Sequence, residues 1–343
     1  MSTATLRRTG RIELGSYITD CAWSGDGARL AVAGGEGPIM LITLAGSETQ
    51  ARTLGEHALG SLAIAWNPRT ASFASSGQDG VLMLWDADAG TGRRLRHSTA
   101  WTEHLAYSAD GKWLASAAGK IITLWSGSGE LVRDLAPCSG NAAGLAWADA
   151  GSEIVAATPA GLVLERLSAP AARREYPAPA PCLTVAPSPN GRVLATGLAD
   201  GTVRFWYRAT GRVSQMAGYG AKVRLTAWSG NARYLATSSG PEIIVWDFAG
   251  KGPERSKPLE FALHTERVEA LAFQPQGQWL AAAARDGRIS LWLPGKLDSP
   301  ADVQLAGDAP TVLRWSPNGR LLAAGERSGA LTIFELTETP RPR

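Results

Sequence analysis

Four histidines in 343 residues leave little material for imidazole chemistry. The sequence also has no Gly-x-Ser-x-Gly elbow, no Gly-x-x-x-x-Gly-Lys phosphate loop and no His-Glu-x-x-His metal helix, so neither an enzyme nor a bound cofactor is expected. Cysteine is scarce. Cys21, Cys138 and Cys182 stand far apart with no Cys-x-x-Cys pair, which argues against a disulfide framework or a thiolate zinc site and fits a reducing compartment. Neither sign of charge dominates: 34 Lys and Arg face 31 Asp and Glu, a net +3. The basic residues are scattered, so no nucleic-acid footprint is evident. No apolar run approaches the length that crosses a bilayer, and residues 1–15 carry Arg7, Arg8 and Arg11 without the apolar centre of a signal peptide. The expectation is a cytoplasmic protein that binds neither nucleic acid nor membrane.

Tryptophan, by contrast, is abundant, with 13 Trp against 6 Phe and 6 Tyr, a ratio that points to an aromatic position used repeatedly. An aromatic after alanine recurs as Ala22-Trp23, Ala65-Trp66, Ala106-Tyr107, Ala146-Trp147, Ala227-Trp228 and Ala272-Phe273, with Ala186-Pro187 and Arg314-Trp315 as further copies. These eight positions are separated by 43, 41, 40, 40, 41, 45 and 42 residues, the period of a repeat array. Four residues beyond each lies a turn position that is Gly in six units, and three further on an apolar residue is followed by Ala in seven of eight. Each unit then reaches a second turn and a third β-rich run, as in Asp79-Gly80 to Trp85, Asp200-Gly201 to Trp206 and Asp286-Gly287 to Trp292. Asp-Gly between alternating apolar residues is a strong hairpin signal. Each unit therefore supplies three antiparallel strands and leaves room for a fourth. One such sheet cannot bury both faces alone, but a ring of stacked sheets can.

These units resemble the WD40 repeat, with Trp-Asp dipeptides at Trp85-Asp86 and Trp246-Asp247, although Leu164-Glu165 stands at that place in unit 4. The resemblance, which extends to stand-alone bacterial proteins of this type, covers nearly the whole chain. It implies an all-β, eight-bladed β-propeller in one domain, with units at about 15–57, 58–98, 99–138, 139–178, 179–218, 219–263, 264–307 and 308–336. The last unit ends near Leu336 and its tail from Thr337 is expected to fray, so residues 6–14 are expected to pair with the last blade and close the ring. The Pro- and Ala-rich stretch 169–181 reads as an edge segment or loop. In this family a His, a Ser or Thr, an Asp and a Trp form a structural hydrogen-bond chain within a blade. Unit 2 matches with His57, Ser75, Asp79 and Trp85, whereas unit 7 keeps His264, Asp286 and Trp292 but has Ala282 in place of the hydroxyl.

Positions that break the repeat rule carry the functional expectation. Arg314 replaces the small residue before the aromatic, and Asp20, Glu103 and His104 stand near the start of inner strands, so these four are candidates for the central channel. Rim positions give Trp101, Lys222, Arg224, Arg267, Glu269, Arg285 and Arg327, mostly basic in units 6 to 8. Arginines beside exposed aromatics are the chemistry of interface hot spots. The expected function is a non-catalytic, monomeric scaffold that takes an acidic protein or peptide on this face. The alternative is a small-ligand or metal-ion site over the channel, with weak hydrolytic activity. A third reading, an accessory role in metal homeostasis, comes from the resemblance alone, since bacterial proteins of this type are sometimes encoded beside zinc-chaperone GTPases.

Overall fold

The computed structural model describes residues 3–45, 48–167, 172–250, 252–254 and 256–339. They form eight four-stranded antiparallel sheets arranged as the blades of a propeller. Blade 1 runs outward from the axis as Ile18–Trp23, Arg29–Gly34, Pro38–Ala45 and Glu48–Glu56. The innermost strands of blades 2 to 8 are Ser61–Trp66, Thr102–Tyr107, Gly144–Ala148, Ala186–Pro187, Leu225–Trp228, Val268–Phe273 and Pro310–Trp315. In the second turn of blades 2, 5 and 7 the Asp-Gly pairs act as expected, with Gly80, Gly201 and Gly287 at φ of 72°, 79° and 76°, a region that costs glycine little. Among the described residues helix is confined to one turn, Asp149–Gly151. Among the described residues no helix is long and apolar enough to cross a membrane.

Two repeated positions account for ten of the 13 tryptophans. Trp85, Trp125, Trp206, Trp246 and Trp292 lie on third strands and fill the space between blades. Of the others, Trp23, Trp66, Trp228 and Trp315 end innermost strands and Trp147 stands one residue before the end of its own. Four of these five indoles reach the preceding blade. Trp23 Nε1 donates to the Arg314 carbonyl (2.9 Å), Trp147 to Ala106 (2.8 Å), Trp228 to Ala186 (2.9 Å) and Trp315 to Ala272 (3.0 Å). Each acceptor is the carbonyl of the residue before the preceding blade's own repeat position, so a buried indole N–H finds its partner in the neighbouring backbone. Only Trp66 turns inward, to Thr70 O at 3.1 Å.

The ring closes through the N-terminal strand, Thr3–Glu13, which pairs antiparallel with Ala330–Thr339 and completes blade 8. Thr3 lies opposite Thr339 and Glu13 opposite Ala330. The segment from Thr337 therefore does not fray, as expected from its composition, but stays in the ladder to Thr339. Residues 340–343 lie outside the described residues. An ion pair locks this seam: Arg11 grips the fully buried Glu326 with Nη1 to Oε1 at 2.6 Å and Nη2 to Oε2 at 3.3 Å. Glu326 also accepts from the Asp308 backbone N–H at 3.0 Å. Within the stretch 169–181, Arg173–Pro177 is the outer strand of blade 4, while residues 168–171 lie outside the described residues.

Candidate functional site

The starts of the innermost strands surround a central cavity of about 540 Å³. In blades 1, 2, 3, 7 and 8 the pairing of the first two strands slips by one residue, at Thr19, Leu62, Glu103, Glu269 and Thr311. A bulge of this kind re-aims side chains, and all five residues line the cavity. At blade 3 it lets consecutive residues, Glu103 and His104, face the same space. Nothing in the residue types announced these bulges.

All four channel candidates line the cavity. Arg314 Nη2 donates to Asp20 Oδ1 at 2.8 Å, while Asp20 also accepts from the Cys21 N–H (2.9 Å) and the Ile64 N–H (3.1 Å). Asp20 thus ties blade 8 to blade 2 across blade 1. Burial pushes the His104 imidazole below its ordinary pKa, with the Glu103 carboxylate opposing. Among the described residues no group of three or more His, Cys, Asp or Glu is placed to hold a metal ion. The three cysteines are buried free thiols, and burial pushes Cys21 up to about 12, which keeps it unreactive.

The rim candidates separate into groups. Lys222, Arg224, Arg267 and Glu269 line a second cavity, of about 440 Å³, between blades 6 and 7. Arg224 and Glu269 also line the central cavity, so the two spaces adjoin. Glu269 accepts from Arg267 Nη2 at 2.8 Å and from Arg285 Nε, neutralising part of the basic charge. Arg327 is exposed on blade 8 and does not line either cavity. Trp101, 52% exposed, precedes the inner strand of blade 3.

The hydrogen-bond chain of blade 2 connects all four of its residues. Trp85 Nε1 donates to Ser75 Oγ (2.8 Å), which lies 2.8 Å from His57 Nε2, and His57 Nδ1 faces Asp79 Oδ1 at 3.1 Å. A carboxylate only accepts, so Nδ1 carries the proton and Nε2 takes the serine hydroxyl. Asp79 also accepts from the Ala58 and Val81 N–H groups, both at 3.0 Å. Blade 7 keeps the chain despite Ala282, because Ser290, directly across the ladder from Ala282, supplies the hydroxyl. It lies 2.9 Å from His264 Nε2 and accepts from Trp292 Nε1 at 2.8 Å. In blade 6, Tyr219 takes the histidine's place. Its hydroxyl accepts from Trp246 Nε1 (2.8 Å) and lies 2.6 Å from Thr237 Oγ1. The signal for Tyr219 was its position, nine residues before the repeat aromatic, as for His57 and His264.

His57→Ala is expected to cost about 1–3 kcal/mol, because Ser75 and Asp79 lose a buried partner. Burial holds the imidazoles of His57 and His264 below their ordinary value, against the opposing pull of Asp79 and Asp286. The unfolded chain therefore binds these protons more readily. Stability should be full above the unfolded value of about 6.5 and fall as pH drops below it. Thermal unfolding across that range should show a shallower acid slope in the His57→Ala, His264→Ala double variant, and an unchanged slope would reject the assignment.

The model of the WD domain, G-beta repeat, matches residues 48–86, 92–126, 173–207 and 256–292. Each match joins the outer strand of one blade to the first three strands of the next, covering blades 2, 3, 5 and 7. Curated proteins similar to this chain include THO complex subunit 3 of Arabidopsis thaliana, 29% identical over 35% of this chain and 38% of that protein. The WD repeat-containing protein slp1 of Schizosaccharomyces pombe is 23% identical over 81% of this chain and 50% of its own length. Cell division cycle 20.1, cofactor of APC complex, of Arabidopsis thaliana is 27% identical over 80% and 54%. The chain thus spans between about a third and about half of the length of these relatives. The crystal structure of the computationally designed Ika8 protein shares the fold, with a TM-score of 0.75 at 18% identity over 98% of this chain and 100% of that one. Four repeats of this chain thus match the WD40 repeat, and all eight blades are built on the same four-stranded plan.

Proposed function

We propose that this protein is a non-catalytic scaffold that binds an acidic protein or peptide on the face where the innermost strands begin, chiefly over blades 6 and 7. The observation that carries this reading is the convergence of Lys222, Arg224 and Arg267 on one cavity adjoining the channel. Exposed Trp101 and Arg327 extend the same face, as anchor and as added positive charge. Relatives named as a subunit of the THO complex and a cofactor of the APC complex support a role within assemblies.

A positive field over this cavity should steer an acidic partner and speed its association. Lys222→Glu with Arg224→Glu is expected to slow association about tenfold or more at low salt, with added salt mimicking the change. Reversal at Arg267 and Arg285 should do less, because Glu269 already offsets them. Stability should stay within about 0.5 kcal/mol, since all four residues are exposed. Binding kinetics at two salt concentrations, with a partner isolated by pull-down, provide the check. An on-rate and salt dependence unchanged by the Lys222 and Arg224 reversal would reject this reading.

A further inference from the structure

Blade 3 carries half of the hydrogen-bond chain that blades 2 and 7 complete. Trp125 Nε1 donates to Ser116 Oγ at 2.9 Å, as Trp85 does to Ser75. The next member is missing. Nine residues before the repeat aromatic, where blades 2 and 7 have His57 and His264 and blade 6 has Tyr219, blade 3 has Ser98. The turn that brings Asp79 in blade 2 is Gly119-Lys120 here, without an acid. Blades 1, 4 and 8 lack the hydroxyl and the tryptophan together, with Val32 and Ile42, Ala156 and Leu164, and Ala324 and Phe334 in these places. In blade 5 the hydroxyl of Thr196 donates instead to the Thr184 carbonyl at 2.6 Å. Among the described residues, blade 3 alone keeps the indole and its hydroxyl joined but leaves out the ring that continues the chain.

A cavity of about 120 Å³ stands in that place, between blades 2 and 3. Ser98, Thr102, Ser116 and Thr123 give it four hydroxyls, and Leu82 and Ile121 give it apolar walls. Ser116 is buried, its oxygen accepts from Trp125, and its own hydrogen has no partner among the described residues. In blade 2 the same hydrogen goes to His57 Nε2. Ser76, across the ladder from Leu82 and so on the same side of blade 2, is a second fully buried hydroxyl without a partner among the described residues. Buried polar groups left in this way call for an occupant. At the outer mouth an ion pair joins the outer strands of the two blades, Arg96 Nη1 to Asp134 Oδ1 at 2.6 Å and Nη2 to Oδ2 at 3.0 Å. Both side chains line the cavity and are partly exposed, so the pair stands between it and solvent.

A cavity left by an absent side chain takes a ligand that restores the missing shape, as an apolar one takes benzene. The shape missing from blade 3 is a planar ring with one nitrogen that accepts and one N–H that donates. We propose that this cavity binds a small neutral azole, an imidazole-like five-membered ring, whose unprotonated nitrogen accepts from Ser116 and whose N–H donates to the hydroxyl oxygens of Ser98 or Thr102. The joint seen in blade 2, with its histidine removed, becomes a ligand site entered past the Arg96–Asp134 pair. It lies apart from the cavity between blades 6 and 7 and does not depend on the scaffold reading.

The test adds imidazole to the full chain at mildly alkaline pH, where it is the neutral base, and follows the Trp125 indole N–H by two-dimensional NMR. That signal is identified by its loss in Trp125→Phe. It is expected to shift and saturate with a Kd of about 1 mM. Pyrrole, which keeps the ring and the N–H but has no accepting nitrogen, should bind at least about tenfold more weakly. Ser116→Ala should weaken imidazole binding about tenfold. Ser98→His should abolish it by placing its own ring in the cavity, with a rise in melting temperature. A signal that imidazole leaves unmoved, as for a cavity that holds only water, would overturn the proposal. Equal binding of pyrrole, or binding that either substitution leaves unchanged, would do the same. The pyrrole comparison and Ser116→Ala decide the outcome whether or not Ser98→His folds.

Discussion

Removing residues 1–14 is expected to lower the melting temperature more than any single substitution in the chain. The outermost strand of blade 8 would be lost, and with it the burial of Ala4 and Leu6 in the cluster shared by blades 7 and 8. Ala330–Thr339 would become an unpaired edge, which invites pairing between molecules. Glu326, fully buried, would lose the Arg11 guanidinium. Stripping one partner from a buried ion pair costs about 3–5 kcal/mol by itself, before the lost ladder is counted. Arg11→Leu isolates the ionic part and should account for roughly that amount. Thermal unfolding with size-exclusion chromatography checks both. A truncated chain that melts like the parent and stays monodisperse would remove the N-terminal strand from the closure.

The second large effect is expected at blade 4, where the repeat is weakest. Glu153 is fully buried and accepts from Arg166 Nε at 2.8 Å and from Arg208 Nη2 on blade 5. Arg208 Nη1 also donates to the Gly191 carbonyl at 3.0 Å. Arg208→Leu should cost about 3 kcal/mol, the low end for breaking a buried pair, because Arg166 remains. Adding Glu153→Leu should recover part of that loss, since the coupling between contacting residues is non-additive. Denaturant unfolding of the single and double variants measures it. A double variant no better than Arg208→Leu would mean that packing, not charge, dominates there.

The propeller itself was legible because it is written eight times. The Ala-aromatic pair, the following turn and the Asp-Gly hairpins hold register, and repetition makes chance agreement improbable. The role of Arg314 was half legible: a long cation at a position that is otherwise alanine needs an acceptor, and the chain folds Asp20 to it from 294 residues away. Side-chain exchanges across strands were not legible. The hydroxyl that blade 7 lacks at Ala282 moved to Ser290, a position that pairs with it only once the strands are aligned. Glu269 read as one more rim residue, yet its place between Arg267 and Arg285 depends on a bulge that composition does not encode. Glu153 and Glu326 had no signal for their distant partners either, because Arg208 reaches Glu153 from the next blade and Arg11 reaches Glu326 from the other end of the chain.

The indole contacts between blades bear on how freely this ring can change. Trp23, Trp147, Trp228 and Trp315 each recognise a carbonyl of the blade before, never a side chain. Trp23 takes the Arg314 carbonyl as readily as Trp147 takes that of Ala106. The side chain at the accepting position can therefore be exchanged without loosening the joint that its backbone makes. Arg314, an accepting residue that lines the central cavity, illustrates how such a position can take on new chemistry while the indole joint made by its backbone is kept.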